Sequence, residues 1–408
     1  MIGTKKRAFD LIDYLFLLII AYNIAPIVAR IISVSLTTYF YLGVQIVAIL
    51  FVLARNKGAK LERYLIFLIP FIIWKVYMYF VAGDTIITWV YSIVMDFTYV
   101  LVGAYIVNER KKSPAVFAWA IFIVMLITAI TSIIFLIDDP TAARHLATIS
   151  DADEELFVEY NWKNIGGYEF TYLFVLSYPI VILATKKKKL NPWLAAVITV
   201  LMVVYIFYAE YTTALLLFLI SSVFWFFKKD LKAWHLVLIF LVAVVLFVFF
   251  QSIFGSLLDW LADVIDSEEI SSRLRALAGG VESLENFEDK RLDLYLTSLN
   301  TFLESPILGT VISGGVIGGH SFILDFLANY GIVGGAMIFA IYWNVYKLLF
   351  YRFRIHVGYG YAVWTFAQTV FLSLVNTGMW LPFLGLMAPI LFKYIFEGKK
   401  KDENSLDS

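Results

Sequence analysis

The sequence predicts an all-α, polytopic integral membrane protein with about twelve transmembrane helices, and three observations make that prediction. Of its 408 residues, 61% are hydrophobic and only 16% charged, whereas soluble domains carry about a quarter charged residues. Apolar segments long enough to span a bilayer recur through most of the chain. Lysines and arginines then gather on alternate connections between those segments, as the positive-inside rule requires. Cysteine is absent, which excludes disulfides and thiolate metal sites. The formal net charge is zero; this singles out no charged partner, and no nucleic acid partner is expected.

A span needs about 20 apolar residues, at roughly 1.5 Å each, to cross a core of about 30 Å. Backbone in lipid has no water partners, so each span is a helix. Such segments lie at about 11–32, 34–54, 64–82, 86–107, 114–137, 168–185, 192–208, 212–227, 235–253, 332–350, 359–376 and 381–396. The first follows the basic stretch MIGTKKRAFD. It is longer than the apolar part of a cleaved leader and lacks a small-residue cleavage site, so it reads as a retained helix. The chain reads as one membrane domain, 1–408.

With the N-terminus inside, the inner connections are KKR, RNKGAKLER, NERKKS, KKKKLN, KKDLKAW, KLLFYRFRIHVG and the tail EGKKKDENSLDS, which hold 23 of the 32 basic residues. Six lie outside (Arg144, Lys163, Arg273, Arg275, Lys290, Arg291) and three within spans (Arg30, Lys75, Lys393). Both termini are therefore expected in the cytoplasm, and the chain in the cytoplasmic membrane.

Two outer segments are long. Residues 138–167 form an acidic, polar loop. Residues 254–331, between spans nine and ten, form the larger extracytoplasmic loop and hold the expected active site. Within it LLDWLADVI and RLRALAGGVESL read as short amphipathic helices. Over 289–305, Leu292, Tyr295, Leu296, Leu299, Phe302 and Leu303 follow helical spacing. Pro306 stops that helix, and Gly309 starts a loop with glycines at 314, 315, 318 and 319. A helical pattern resumes from Ser321 to Tyr330, with Gly331 as its C-terminal cap.

His320 is the histidine of this large loop, set between a glycine run and a helix start. Imidazole titrates near neutral pH and can take a proton from a hydroxyl; the plainer reading is a helix-start histidine bonded to backbone. His145 lacks such framing, and His235 and His356 fall on the basic side. Arg291, Arg273 and Arg275 present donor forks suited to a diphosphate, although neighbouring acids would also pair with them. Arg291 stands out because its helix leads into the Pro306–Gly309 turn. Glu210, in the outer turn AEYTT, faces the same external space. The acids DSEE (266–269) lack calcium-loop spacing, and no ligand set suggests zinc. No phosphate-cradling glycine motif faces the cytoplasm. Charges inside spans are functional candidates by default. Lys75 and Asp96 sit at similar depth and read as an ion pair, while Arg30 lies near the outer end of its span.

The run RLDLYLTSLNTFLESPILGTVISGGVIGGHSFILDFLANYGIVGG resembles the signature region of the O-antigen polymerase and ligase superfamily. There an outer arginine precedes an amphipathic helix and a Pro-x-x-Gly turn, then a glycine-containing loop, a histidine, a leucine-rich helix and a GxxG step into the next span. The matching residues here are Arg291, Pro306–Gly309, His320, Leu324 and Gly331–Gly334. The resemblance covers about 45 residues; elsewhere only the hydropathy layout is similar. It implies an inverting glycosyl transfer on the outer face of the membrane, with a glycan on undecaprenyl diphosphate as donor and neither cofactor nor metal. Arg291 would neutralise the diphosphate and His320 would orient or deprotonate the acceptor hydroxyl. A chain-length regulator and a flippase are the implied protein partners. The chain departs from the pattern at Tyr211-Thr212-Thr213, where many members carry Ser-Arg; Arg273, Arg275, Arg144 or Lys163 would have to replace that cation.

The expectation is therefore a polymerase of lipid-linked repeat units for a surface polysaccharide, such as O-antigen, capsule or exopolysaccharide. A ligase moving glycan to another acceptor shares the motif. A transporter or flippase of lipid-linked sugars is the alternative from a different class, kept open by Lys75, Asp96 and Arg30.

Overall fold

The computed structural model describes residues 10–35, 37–55, 69–70, 72–74, 76, 79–80, 86–110, 113–139, 141–148, 154–227, 235, 238–239, 241–242, 245, 255–265, 268–278, 288–310 and 315–397. All regular structure among them is helical, with no strand. The helices are α1 (Leu11–Ile24), α2 (Pro26–Ser35), α3 (Thr37–Arg55), α4 (Ile86–Ala104), α5 (Ala115–Asp138), α6 (Ala142–Thr148), α7 (Glu154–Trp162), α8 (Tyr168–Leu176), α9 (Tyr178–Lys186), α10 (Pro192–Ala209) and α11 (Thr212–Ser222). They continue with α12 (Ser256–Val264), α13 (Glu268–Ala278), α14 (Glu288–Glu304), α15 (Phe322–Val345), α16 (Tyr359–Val375) and α17 (Ala388–Phe396).

Among the described residues, five helical stretches are long and apolar enough to cross a membrane: Val90–Glu109, Ala115–Asp138, Tyr168–Lys186, Pro192–Ala209 and Phe322–Ile355. Shorter apolar helices cover Tyr39–Arg55, Thr212–Phe226 and Pro382–Phe396. The composition and these helices are those of an α-helical membrane protein. The expected spans 64–82 and 235–253, and with them Lys75, lie wholly or largely outside the described residues.

The expected span 11–32 is not one straight helix. It bends by 111° between Leu11–Ile24 and Pro26–Ser33. The cause is local: a proline pushes the preceding residue out of the helical region, and Ala25 sits at φ −108°, ψ 110°. The segment 138–167, expected as a polar loop, holds the short helices α6 and α7.

At one end of the helices the connections are clamped by cations. Arg110 forms a buried double contact with Asp13, Nε to Oδ1 at 3.1 Å and Nη2 to Oδ2 at 3.3 Å. Lys393 Nζ donates to the carbonyls of Ile106 (2.8 Å) and Arg110 (3.0 Å). Arg352 donates to Val107 O and to Asn108 Oδ1, and Lys186 to Phe224 O and Phe227 O. Helix C-termini leave carbonyls without partners, and lysine or arginine there satisfies both the hydrogen bond and the dipole.

Candidate functional site

The site is built at the opposite end, from the α14–loop–α15 hairpin. Helix α14 ends at Glu304, before Pro306, as expected. Ser305 then closes a turn: its carbonyl accepts from Gly309 N (2.9 Å) and its hydroxyl donates to Gly309 O (2.8 Å). Gly309 has φ +72°, and a Cβ there would lie 2.1 Å from Asn329 O. Gly331 mirrors it: φ is +62°, and a Cβ would lie 2.3 Å from Ile307 O. Only glycine fits either place.

Gly331 ends the helix that starts at Phe322, as expected, and across the kink a second helix continues directly to Val345. A kink frees backbone groups that need new partners. Ala328 O accepts from Thr310 N at 3.0 Å, Pro306 O from Ile332 N at 2.8 Å, and Ile307 O from Val333 N at 3.3 Å. The Pro-x-x-Gly turn and the glycine of the next helix are thus two halves of one main-chain joint.

The remainder of the loop is held by side chains. Thr301 Oγ1 donates to Val316 O at 2.7 Å. Gly318 packs so closely that a Cβ would lie 2.0 Å from Leu294 O, and its N–H donates to Ser298 Oγ at 2.9 Å. Ser298 in turn donates to Asp325 Oδ1 at 2.5 Å. Asp325 also accepts from Gly319 N (3.2 Å) and Ser321 N (3.0 Å). Ser321 caps α15, its hydroxyl accepting from Leu324 N at 3.0 Å. His320 lies half-buried in the middle of this set.

Beside it is an open groove of about 230 Å³ lined by Trp74, Phe322, Asp325, Phe326, Asn329, Tyr330 and Thr377. Aromatic faces with a carboxylate, an amide and a hydroxyl suit a ligand with both apolar faces and hydroxyls. The neighbouring loop 376–380 is tied in, because Phe322 N donates to Asn376 O at 2.9 Å and Tyr295 OH to Val375 O at 2.8 Å. Trp380 takes a left-handed φ of 55°, unusual for a bulky residue.

From Trp380 a run of rings leads to the other expected residues. Its ring lies 5.4 Å from Tyr172 and 5.9 Å from Tyr168, and Tyr172 lies 6.1 Å from Tyr211. Tyr211 follows Glu210, whose Oε1 is 3.9 Å from Arg273 Nη1. Arg273 is buried, donates to Leu136 O at 3.2 Å and stacks its guanidinium 4.3 Å from the Tyr208 ring centre. His320, Glu210 and Arg273 therefore belong to one end of the helix assembly. Arg275 instead forms an exposed pair with Asp263 at 2.8 Å, and Lys163 pairs with Glu159 at 2.5 Å. Arg291 lies in the first turn of α14; its side chain, like that of Arg144, is outside the described residues. Among the described residues, no three His, Asp or Glu side chains converge as a metal-ligand set.

Sequence reasoning did not find Ser298 and Asp325. Each is unremarkable on its own helix, and only the fold brings together residues 27 positions apart. The ring path through Tyr168, Tyr172 and Trp380 left no spacing signal either. At the same end Asp139 accepts from Tyr160 OH at 2.5 Å and from Thr141 Oγ1 at 2.9 Å. Burial alone would raise the Asp139 carboxyl, but these bonds outweigh it and hold it below its ordinary range.

No family model matches the chain, and no curated protein or solved structure matches it.

Proposed function

We propose that the protein is a glycosyltransferase of the cytoplasmic membrane that polymerises undecaprenyl diphosphate-linked repeat units into a surface polysaccharide on the outer face. The proposal includes twelve spans, both termini inside, and the 254–331 loop outside. One observation carries it: His320 sits on a loop that α14 and α15 fix at both ends, flanked by Gly319 and Ser321, which bond to Asp325 in the wall of a groove with ring faces and polar partners. In this reading the groove receives the acceptor glycan. An acceptor hydroxyl attacks the anomeric carbon of the donor from the side opposite the diphosphate. A new C–O bond forms, the bond to the diphosphate oxygen breaks, and its electron pair leaves with the lipid diphosphate. The hydroxyl proton passes to His320 Nδ1 or Nε2. Charge accumulates on the leaving diphosphate, so a fixed cation there stabilises the transition state; Arg291 takes this role, with Arg273 as the second cation.

Reconstitution with undecaprenyl diphosphate-linked repeat units tests this. A ladder of longer glycans and free lipid diphosphate are expected, unchanged by EDTA. His320→Ala should lower the rate by about 10²–10⁴-fold, and Arg291→Ala should also remove the ladder, with both proteins still inserted. Full activity in both would refute the assignment. A strain lacking the protein would keep single repeats if it is a polymerase and lose all attached glycan if it is a ligase.

A second reading, a carrier of lipid-linked sugars, is favoured by the bend at Ala25 and the buried contacts beside it. Asn23 donates to Tyr41 OH (3.2 Å) and accepts from Tyr99 OH (2.8 Å), and broken helices with polar neighbours recur in transporters. Movement of labelled lipid-linked glycan across liposomes without polymerisation would select it.

A further inference from the structure

We propose that Asp325 is the positioning residue for His320, acting through the main chain on both sides of it. This inference rests on the transfer reading above. A helix cap alone would need only the Ser321 N–H contact at 3.0 Å, which resembles a capping box displaced by one residue. The Asp325 carboxylate does more. Its Oδ1 also accepts from Gly319 N at 3.2 Å and from Ser298 Oγ at 2.5 Å, and Ser298 Oγ accepts from Gly318 N at 2.9 Å. The peptide units before and after His320 are thereby tied to one side chain on α15 and one on α14. Gly319, at φ +76°, supplies the reversal that lets N–H groups from both flanks converge on the same carboxylate. Asp325 also lines the groove, so the reference point for His320 and the ligand wall are the same side chain. Misplacing a reacting group by about 1 Å can cost on the order of 100-fold in rate.

Asp325→Asn keeps the shape but turns one acceptor oxygen into a donor that faces an N–H. It should lower kcat by about 10- to 100-fold, with any rise in KM for the lipid-linked glycan smaller than the fall in kcat. Ser298→Ala, which frees Gly318 and removes one of the three donors to Asp325 but leaves the Gly319 and Ser321 contacts, should have a smaller effect in the same direction. Placed on His320→Ala, Asp325→Asn should add no further loss, because groups that act through one another are not additive. An undiminished additional loss in that double variant, or a change confined to KM, would overturn the proposal and leave Asp325 a structural cap. Hydrogen exchange of the 315–322 peptide supplies an independent reading in purified protein. Faster exchange in Asp325→Asn supports the clamp, and unchanged exchange refutes it. If the wild-type protein makes no ladder, the glycosyl reading fails on its own while the exchange comparison still decides the clamp.

Discussion

The two ends of this helix assembly solve the same problem with opposite chemistry. At the basic end, orphan carbonyls are met by the cations of Lys393, Lys186 and Arg352, and Arg110 is neutralised by buried Asp13. At the other end, orphan N–H groups are met by Ser298, Ser321, Asp325 and also Asn164, which accepts from Ile27 N at 3.2 Å. Left-handed backbone is divided unequally too. Of the eight positive-φ residues described, Lys188 and Gly358 lie at the basic end, whereas Asn164, Glu210, Gly309, Gly319, Gly331 and Trp380 lie at the other. Strained backbone persists where its surroundings over-determine it and clusters at working sites. The comparison teaches that one end secures the fold while the other holds a shape.

The sharpest way to break that contrast is at the basic end. Arg110→Ala should leave Asp13 buried and uncompensated, a loss of about 3–5 kcal/mol, seen as failure to accumulate as folded protein in detergent. Replacing both, with Asp13→Leu and Arg110→Met, should recover most of it. If the single variant is fully stable, the idea that this end secures the fold is wrong. Gly331→Ala should come next. A strained φ costs about 1–3 kcal/mol, and the added Cβ meets Ile307 O. A lowered Tm, with faster exchange of the 306–310 amides, is expected; an unchanged Tm would mean that the main-chain joint contributes little.

How much of this was legible follows from sequence distance. The break at Pro306, the helix before it and the special place of Gly331 are local effects, and each can be read from one stretch. The bend at Ala25 was legible in principle from Pro26, but the surrounding apolar run concealed it. The contacts between Ser298 and Asp325, and between Glu210 and Arg273, join residues from separate helices. Nothing local marks them, because a serine or an aspartate on a helix has the same spacing whether or not it meets a partner.

Two smaller effects sharpen the contrast. Arg275→Ala should cost less than about 1 kcal/mol, since both members of its ion pair are exposed; a large loss of activity would instead return Arg275 to the site. Tyr160→Phe should act only through pH. The Asp139 carboxyl is depressed when folded, so its contribution is present above the ordinary carboxylate range and is lost as pH falls through the lower folded value. Removing the phenol should flatten that acid-side dependence of Tm, measured from about pH 6 down to the range where carboxylates titrate.

The joint at Gly331 has one more consequence. Its bonds run between main-chain atoms, while Ile307, Leu308, Ile332 and Val333 turn their side chains outward. Those positions can exchange one apolar residue for another without unseating the loop. A lineage could thus rewrite nearly every letter here and keep the same path, provided that a proline and a few glycines stay in register. Kinship between such chains would survive as a rhythm of small residues long after ordinary identity had faded.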